Sequence, residues 1–191
     1  MTRTARLTAT AALGAAVLTA GALTVGGIVA QAGDDTVQPG QIVTALDRAR
    51  TGGDALPASL VLSELGNGGV LATSSRLLAT DAGRSFWAAQ DAQGDICLIV
   101  ALGDTGHTIA SACNRPHVVK ENGLLVGFQG FHGVDSDEAV AYLLPDAAIL
   151  DDVSAPWRVL SDNVVVAASA DVKGHGSSLS TTDHDSIALV P

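Results

Sequence analysis

The sequence predicts a mainly β fold of the β-rich α+β type, a compact antiparallel meander of short strands with one or two short helices, behind an N-terminal hydrophobic helix. Two observations carry this prediction. From Ser75 onward, apolar runs of six or seven residues alternate with short turns that open with aspartate. Residues 7–30, by contrast, contain no charge, Asn, Gln or Pro.

Length, charge and cysteine content exclude several classes of protein. The 191 residues suffice for one domain with its own apolar core behind a leader. Two cysteines cannot form a four-cysteine zinc site, an iron–sulfur cage or a disulfide-knotted miniprotein. A net charge of −10 repels phosphate, and 2 Trp, 1 Tyr and 3 Phe offer few stacking platforms, so the composition argues against nucleic-acid binding.

The first 32 residues are typical of an export element. Residues 1–6 carry Arg3 and Arg6 and are expected to be a cytoplasmic n-region, followed at residues 7–30 by a transmembrane anchor or a signal h-region. The hydrophobic run is long enough to cross a hydrocarbon core of ~30 Å. Ala30-Gln31-Ala32 also fits a signal-peptidase site. Two outcomes stay open: a single-pass membrane protein with its N-terminus inside, or a protein secreted after cleavage behind Ala32.

Three segments follow the leader. Residues 31–53 are expected to be a linker and one short helix, because Ile42, Ala45, Leu46 and Ala49 fall at helical spacing. Residues 54–170 form the expected β-rich extracytoplasmic domain, and residues 171–191 form a polar tail with a possible last strand at 187–190. Residues 60–65 fit either a strand or a helix.

About nine strands and one helical turn are expected within the domain. The helical turn covers residues 115–122 and ends at Gly123. Residues 96–102 are apolar on both faces and should form a central strand. The expected strands are residues 75–80, 84–90, 95–102, 107–113, 124–128, 139–144, 149–153, 157–160 and 164–168.

The turns between the first strands share one chemistry. Asp81, Asp91 and Asp104 each open a turn that ends in glycine. The aspartate side chain can accept hydrogen bonds from backbone N–H groups, and the glycine can take a positive φ. Such turns predict hairpins between successive strands.

The hairpin around Asp104 predicts a disulfide. If Asp104-Thr105-Gly106 is a three-residue loop, Gly103 faces His107, and counting back along both strands places Cys97 opposite Cys113. Outside the cytoplasm such a pair should be oxidised. A redox-active dithiol is the alternative, but the C-x-x-C spacing is absent.

Asp104-Thr105-Gly106 is also the triplet that aspartic proteases place at their catalytic turn. That chemistry needs two carboxylates sharing a proton, and the chain has one copy, so it would require a homodimer using Asp104 of both subunits. Turn formation accounts for the same three residues. A serine nucleophile is not favoured, because the G-x-S-x-G motif is absent.

Two groups of residues could bind a metal weakly. The first comprises His175, Asp183, His184 and Asp185, in what is otherwise a polar tail. The second comprises Asp135, Asp137 and Glu138, which lack the spacing of an EF-hand and otherwise form a solvated acidic loop. Trp87 and Trp157 lie in apolar runs and are expected to fill the core.

Seven short segments lie in order along the chain: Asp54-Ala55-Leu56-Pro57, Ser75-Arg76-Leu77-Leu78, Trp87-Ala88-Ala89, Cys97-Leu98-Ile99-Val100, Ser111-Ala112-Cys113, Leu144-Pro145-Asp146 and Asp162-Asn163-Val164. In these segments, residues 54–168 resemble small exported or membrane-anchored domains of unknown function from high-GC Gram-positive bacteria of the actinobacterial type. The resemblance implies the topology and the disulfide, and it supplies no activity.

The functional expectation is a non-catalytic, envelope-facing binding or structural module. The sequence supplies no catalytic residues, metal ligands or cofactor site that outweigh the alternatives above. The expected partner is an envelope component of unknown identity, with the membrane contacted through residues 7–30 if the leader is retained. The dimeric hydrolase and the weak metal-binding module are the alternatives.

Overall fold

The computed structural model describes residues 37–102, 108–128, 139–172 and 176–189. Within them the fold is mainly β, with ten strands in antiparallel sheets, as the sequence predicts. The predicted leader at residues 1–30 lies outside the described residues. None of the helices that the structure describes reaches the length and hydropathy needed to span a membrane.

The first sheet is the predicted meander, with strand order β1-β2-β3-β4. Its strands are β1 (Arg76–Asp81), β2 (Arg84–Gln90), β3 (Ile96–Leu102) and β4 (Thr108–Asn114). The prediction that β3 is central is confirmed. Its residues 96–101 are fully buried and alternate between two hydrophobic clusters, one on each face of the sheet.

The second sheet departs from a meander, because its strand order is β5-β6-β8-β7. Its strands are β5 (Leu124–Phe128), β6 (Ala139–Leu143), β7 (Arg158–Ser161) and β8 (Val164–Ala168). The chain leaves β6, runs to the outer strand β7 and returns through a hairpin to pair β8 with β6. Because β8 is apolar and β7 is largely exposed, this order places β8 inside the sheet, where residues 164–167 are buried.

The described part of residues 171–191, predicted as a polar tail with a possible last strand, contains two paired strands. Helix α3 (Ser169–Val172) is followed by a hairpin of β9 (Ser177–Ser180) and β10 (Ser186–Leu189). Leu179, Ile187 and Leu189 are almost completely buried against the second sheet. The predicted last strand is therefore confirmed, whereas β9 was missed because Leu179 is its one large apolar residue.

The helical segments are shorter than predicted. A four-residue helix, α1 (Pro39–Ile42), and a 3-10 turn (Thr44–Leu46) replace the single helix expected before residue 53, because Val43 between them is extended and buried. Helix α2 (Pro116–Asn122) confirms the predicted helical turn and ends at Gly123, whose φ is +65°. Further 3-10 turns lie at Gly52–Asp54, Leu62–Glu64 and Ala72–Ser74.

The strand predicted at residues 149–153 is wrong. A 3-10 turn, Leu150–Asp152, occupies this stretch. Ala148 makes only an isolated bridge to Thr181, so no strand continues from it. The turn that follows contains two exposed aspartates, Asp151 and Asp152. Asp152 accepts a hydrogen bond of 3.3 Å from the backbone N–H of Ser180 and so joins this turn to β9.

The two four-stranded sheets pack face to face around the main core. This core contains Phe86, Ile96 and Leu98 from the first sheet and Val126 and Leu143 from the second, and α1 and α2 close its edges. The outer face of the first sheet is covered by residues 60–70, and the outer face of the second by the β9–β10 hairpin. Trp87 and Trp157 are 4% and 5% exposed, which confirms both as core residues.

Candidate functional site

A cleft of about 370 Å³ opens between the two four-stranded sheets. Its walls come from the β1–β2 hairpin on one side and from the ends of β5, β6 and β8 on the other. The side chains that line it belong to two arginines, two aspartates and a set of aromatic and small apolar residues, namely Arg84, Arg158, Asp81, Asp171, Phe86, Phe128, Ala139, Pro156, Val166, Ala167 and Ala168. Volumes of this order are typical of small-molecule sites.

One wall is an aromatic pair with a guanidinium over it. Phe86 and Phe128 pack edge to face with their ring centroids 6.2 Å apart. The guanidinium carbon of Arg84 lies 5.2 Å from the centroid of the Phe128 ring. A cation over an aromatic face is held electrostatically, and the ring limits the positions that the side chain can take. Within the described residues no carboxylate lies within ion-pair distance of Arg84.

The second arginine of the cleft, Arg158, forms an ion pair with Asp81. Arg158 on β7 donates to Asp81 on β1 through two parallel hydrogen bonds of 3.1 and 2.7 Å, and these bonds bridge the two sheets. The Arg158 hydrogen bonds, more than the nearby charges, hold the pKa of the Asp81 carboxyl below its usual value. Asp81 was predicted to accept from its own turn, whereas the structure directs its carboxylate to Arg158.

The remaining side chains of the cleft supply one more charge and an apolar surface. Asp171 on α3 is exposed, and none of the described residues forms an ion pair or a hydrogen bond with its carboxylate. Ala139, Ala167 and Ala168 line the opposite part of the cleft. The side chain of Ala167 belongs to the cluster on the opposite face of β8, so its methyl group does not face the space between the two sheets.

The described lining of the cleft consists of charged and apolar side chains. Ser, Thr, Cys, His and Lys are all missing from the described lining of the cleft. A general acid or base works best with a pKa near the ambient pH, and Arg158 shifts the pKa of Asp81 in the opposite direction. The described lining therefore provides charges and apolar contacts.

The disulfide predicted from the hairpin register is present. Cys97 and Cys113 are direct partners on β3 and β4 and are bonded through their sulfur atoms. The register that pairs them continues to Val100 and Ala110 and then shifts by one residue at a bulge. The predicted pairing of Gly103 with His107 lies outside the described residues.

A buried carboxylate lies beside this disulfide. Asp91 is 1% exposed and accepts hydrogen bonds from the backbone N–H groups of Asn67, Gln93 and Asp95 at 2.8 to 3.0 Å. Its carboxylate and the two sulfur atoms lie within 4.8 Å of one another, the one such group of potential metal ligands in the described part of the chain. The two sulfur atoms are bonded to each other. The carboxylate of Asp91 therefore serves as a structural contact between its own turn and the disulfide.

Three of the sequence-predicted metal ligands, Asp183, His184 and Asp185, lie in the described residues, and they do not form a group with ligand atoms within 4.8 Å of one another. Asp183 and Asp185 are exposed and line a second cavity of about 460 Å³ next to Lys120, whose Nζ lies 3.7 Å from Asp183. His184, in the turn between β9 and β10, is also exposed. His175, Asp135, Asp137 and Glu138 lie outside the described residues, as does Asp104 with its Asp-Thr-Gly turn.

The cleft residues were not identified from the sequence. Arg84, Phe128 and Asp171 lie on three different elements and far apart along the chain, and no spacing links them. They meet because the β1–β2 hairpin of one sheet packs against the ends of β5 and β8 of the other. Comparison of the chain with models of protein families, with curated proteins and with solved structures gives no match.

Proposed function

We propose that this protein is an exported, non-catalytic module that binds an envelope component in the cleft between its two sheets. The single observation that carries the proposal is the lining of the cleft, in which an arginine fixed over Phe128 and an exposed aspartate lie among small apolar side chains. Such a lining provides orientation and specificity for a ligand. The described lining contains no Ser, Thr, Cys, His or Lys that a neighbouring base could activate as a nucleophile.

Export is supported by two independent features. The uncharged run at residues 7–30 behind Arg3 and Arg6 is typical of a membrane anchor or a signal sequence. The bond between Cys97 and Cys113 is of the kind that persists in oxidising compartments. The proposed location is therefore the outer side of the cell membrane with the N-terminus inside, or the medium if the chain is cleaved after Ala32.

The proposal is tested by NMR on the isotope-labelled full chain in detergent micelles. The titrant is the low-molecular-mass fraction of a bacterial envelope extract. We expect shifts of the backbone amides of Arg84, Phe128 and Ala168, with the mass spectrum of the extract unchanged after incubation. The shifts should disappear in Arg84→Gln and persist in Arg115→Gln, since Arg115 is exposed and lies outside the cleft.

Three results would contradict the proposal. The first is an extract that shifts no cleft resonance in repeated titrations. The second is an equal response in Arg84→Gln and in the wild type, which would place binding elsewhere. The third is chemical conversion of an extract component by the protein, which would indicate an enzyme.

A further inference from the structure

We infer that the buried carboxylate of Asp91 protects the Cys97–Cys113 disulfide against external thiols, which reach the bond at Cys113. This inference is independent of the proposed binding function, because it concerns the outer face of the first sheet and not the cleft. It rests on three observations: a buried charge beside both sulfur atoms, unequal burial of the two cysteines, and an exposed glycine next to one sulfur and the carboxylate.

The charge of Asp91 is not paired with a basic side chain in the described part of the chain. The residue is 1% exposed, and one of its carboxylate oxygens lies within 4.8 Å of both sulfur atoms. Its hydrogen bonds come from three backbone N–H groups, so it acts as an acceptor, which is the role of an ionised carboxylate. At this distance a buried charge acts on the sulfur atoms with little screening by solvent.

The two sulfur atoms differ in their access to solvent. Cys97 is fully buried, whereas Cys113 is half-buried. Gly66 is exposed, and a Cβ added to it would lie 2.9 Å from Sγ of Cys113 and 3.1 Å from Oδ2 of Asp91. A reagent that enters beside Gly66 therefore meets the sulfur of Cys113 and the carboxylate together. Cys113 is thus the sulfur that is attacked, and Cys97 is the one that leaves.

Reduction of this bond places negative charge on sulfur next to Asp91. The sulfur of an external thiolate bonds to Sγ of Cys113, the Sγ–Sγ bond breaks, and its electron pair leaves on Sγ of Cys97, which then takes a proton from water. A second external thiolate attacks the external sulfur of the mixed disulfide and releases the thiolate of Cys113. The protein disulfide is reduced, and two external thiols are oxidised to one disulfide.

Asp91 opposes the first of these steps in two ways. It repels the incoming thiolate, which is an anion. It also disfavours the buried thiolate of Cys97, because a like charge nearby destabilises the charged form of an acid. A thiolate that is poorly stabilised leaves more slowly. The cross-link between β3 and β4 therefore survives longer in the presence of thiols than it would with a neutral side chain at position 91.

The test measures the reduction of the disulfide by three small thiols in the full chain, held in micelles of an uncharged detergent. The thiolate form of cysteamine has no net charge, that of 2-mercaptoethanol has one negative charge, and that of 2-mercaptoethanesulfonate has two. Freed thiols are alkylated and counted by intact mass, and each rate is divided by the thiolate concentration. In the wild type we expect the rate to fall in the order in which the thiols are named.

Asp91→Asn should raise all three rates, by at least about tenfold for 2-mercaptoethanesulfonate and by the smallest factor for cysteamine, because it removes the charge. The amide can keep the bonds from Gln93 and Asp95 but loses the one from Asn67, so the variant also loosens the turn. Gly66→Ala is the matched control for loosening, because it disturbs the packing at the same point and retains the carboxylate. It should leave the ratios among the three rates as in the wild type.

Two measurements on the wild type do not depend on any variant. At 1 M salt the screening length is about 3 Å, so exposed acidic residues no longer act on the incoming thiol, whereas the buried Asp91 still does. The order of the three rates should therefore persist at this salt concentration. Peptide mass analysis of the trapped mixed disulfide should place 2-mercaptoethanesulfonate on Cys113 and not on Cys97.

The inference is overturned if Asp91→Asn leaves the rates unchanged or raises all three by one common factor, as loosening alone would do. Loss of the rate order at 1 M salt would assign the charge effect to exposed residues and would overturn it as well. So would a mixed disulfide on Cys97, or rates that do not rise with thiol concentration, since reduction would then wait for unfolding. None of these results bears on binding in the cleft.

Discussion

Asn163 donates a hydrogen bond of 2.7 Å from its Nδ2 to Oδ1 of Asp146. The same amide donates to the carbonyl oxygen of Leu144 at 3.0 Å, and Oδ2 of Asp146 accepts from the backbone N–H of Thr44 at 2.7 Å. The turns at Asp146 and Asn163 are thereby joined to each other and, through Thr44, to the segment before the first sheet. These turns belong to two of the segments on which the sequence resemblance rests.

Asn163→Ala should lower the free energy of unfolding by about 1–2 kcal/mol, because it removes two hydrogen bonds from a side chain that is 6% exposed. Urea denaturation followed by circular dichroism measures the change. Asn122→Ala is the control, since Asn122 is exposed at the end of α2 and makes one long bond of 3.3 Å. Equal effects of the two substitutions would show that the Asn163 contacts do not stabilise the fold.

The disulfide should stabilise the domain by about 3 kcal/mol, because it closes a loop with a sequence separation of 16. The double variant Cys97→Ala/Cys113→Ala should lose this amount in urea denaturation. Reductant should shift the midpoint of the wild type toward that of the double variant and leave the double variant unchanged. A wild-type midpoint that does not respond once mass spectrometry verifies reduction would contradict this prediction.

Two constraints favour glycine at position 66: a positive φ and a lack of space for a side chain. Its φ is +66°, and an added Cβ would lie 2.9 Å from Cβ of Asp91 and 2.9 Å from Sγ of Cys113. Gly66→Ala should therefore combine a backbone cost of about 1 kcal/mol with an overpacking cost of about 1–3 kcal/mol.

Gly83→Ala separates these two costs. Gly83 has a φ of +74°, and nothing lies within 4 Å of an added Cβ, so only the backbone cost of about 1 kcal/mol applies. Thermal or urea denaturation of both variants gives the difference. If the two variants were equally stable, the turn at Gly66 would not be packed against the disulfide as described.

Asp54 should make the domain sensitive to acid. Its carboxylate is 2% exposed, pairs with Arg48, and accepts from the backbone N–H groups of Thr51 and Leu77. The Arg48 hydrogen bond and then those of the backbone hold the pKa of Asp54 well below its usual value, against the opposing effect of burial. The resulting stabilisation is complete above the unfolded-state pKa of about 4 and is lost as the pH falls below it.

Asp54→Asn tests this dependence. We expect a loss of about 3 kcal/mol at pH 7, because the amide keeps only one of the two oxygens that accept from Thr51 and Leu77 and places a donor at the other. The lost charge pairing contributes less, because the Arg48 side chain is 40% exposed and solvent screens its charge. Between about pH 5 and 2 the free energy of unfolding should fall less steeply in the variant than in the wild type. Asp151→Asn, at an exposed position, should reproduce the wild-type slope. Identical slopes for Asp54→Asn and the wild type would contradict the assignment.

The parts of the fold that the sequence predicts are those set by local chemistry. Asp91 accepts from Gln93 and Asp95 within its own turn, so the turn is recognisable from its residue types. The strand at 96–102 is recognisable because both of its faces are apolar. The pairing of Cys97 with Cys113 is present as predicted, although a bulge after Val100, which the count from the turn did not include, shifts the register by one residue.

The remaining features depend on contacts between distant segments. β9 has one large apolar residue, Leu179, and is a strand because β10 pairs with it and the second sheet covers it. The order β5-β6-β8-β7 follows from burying the apolar strand β8, which no local pattern encodes. Arg84 and Asp171 face one cleft as a consequence of that order, so the candidate site could not be assembled from the sequence alone.

The proposed location of the disulfide-linked domain is outside the cytoplasm. The most direct measurement is the intact mass of the protein recovered, without reductant, from the cytosol, membranes and medium of an expressing bacterium. We predict that it is found in the membranes or the medium with a mass two hydrogens below that of the reduced chain, whether or not the first 32 residues have been removed. Full-length protein in the cytosol with Cys97 and Cys113 both free would contradict the account.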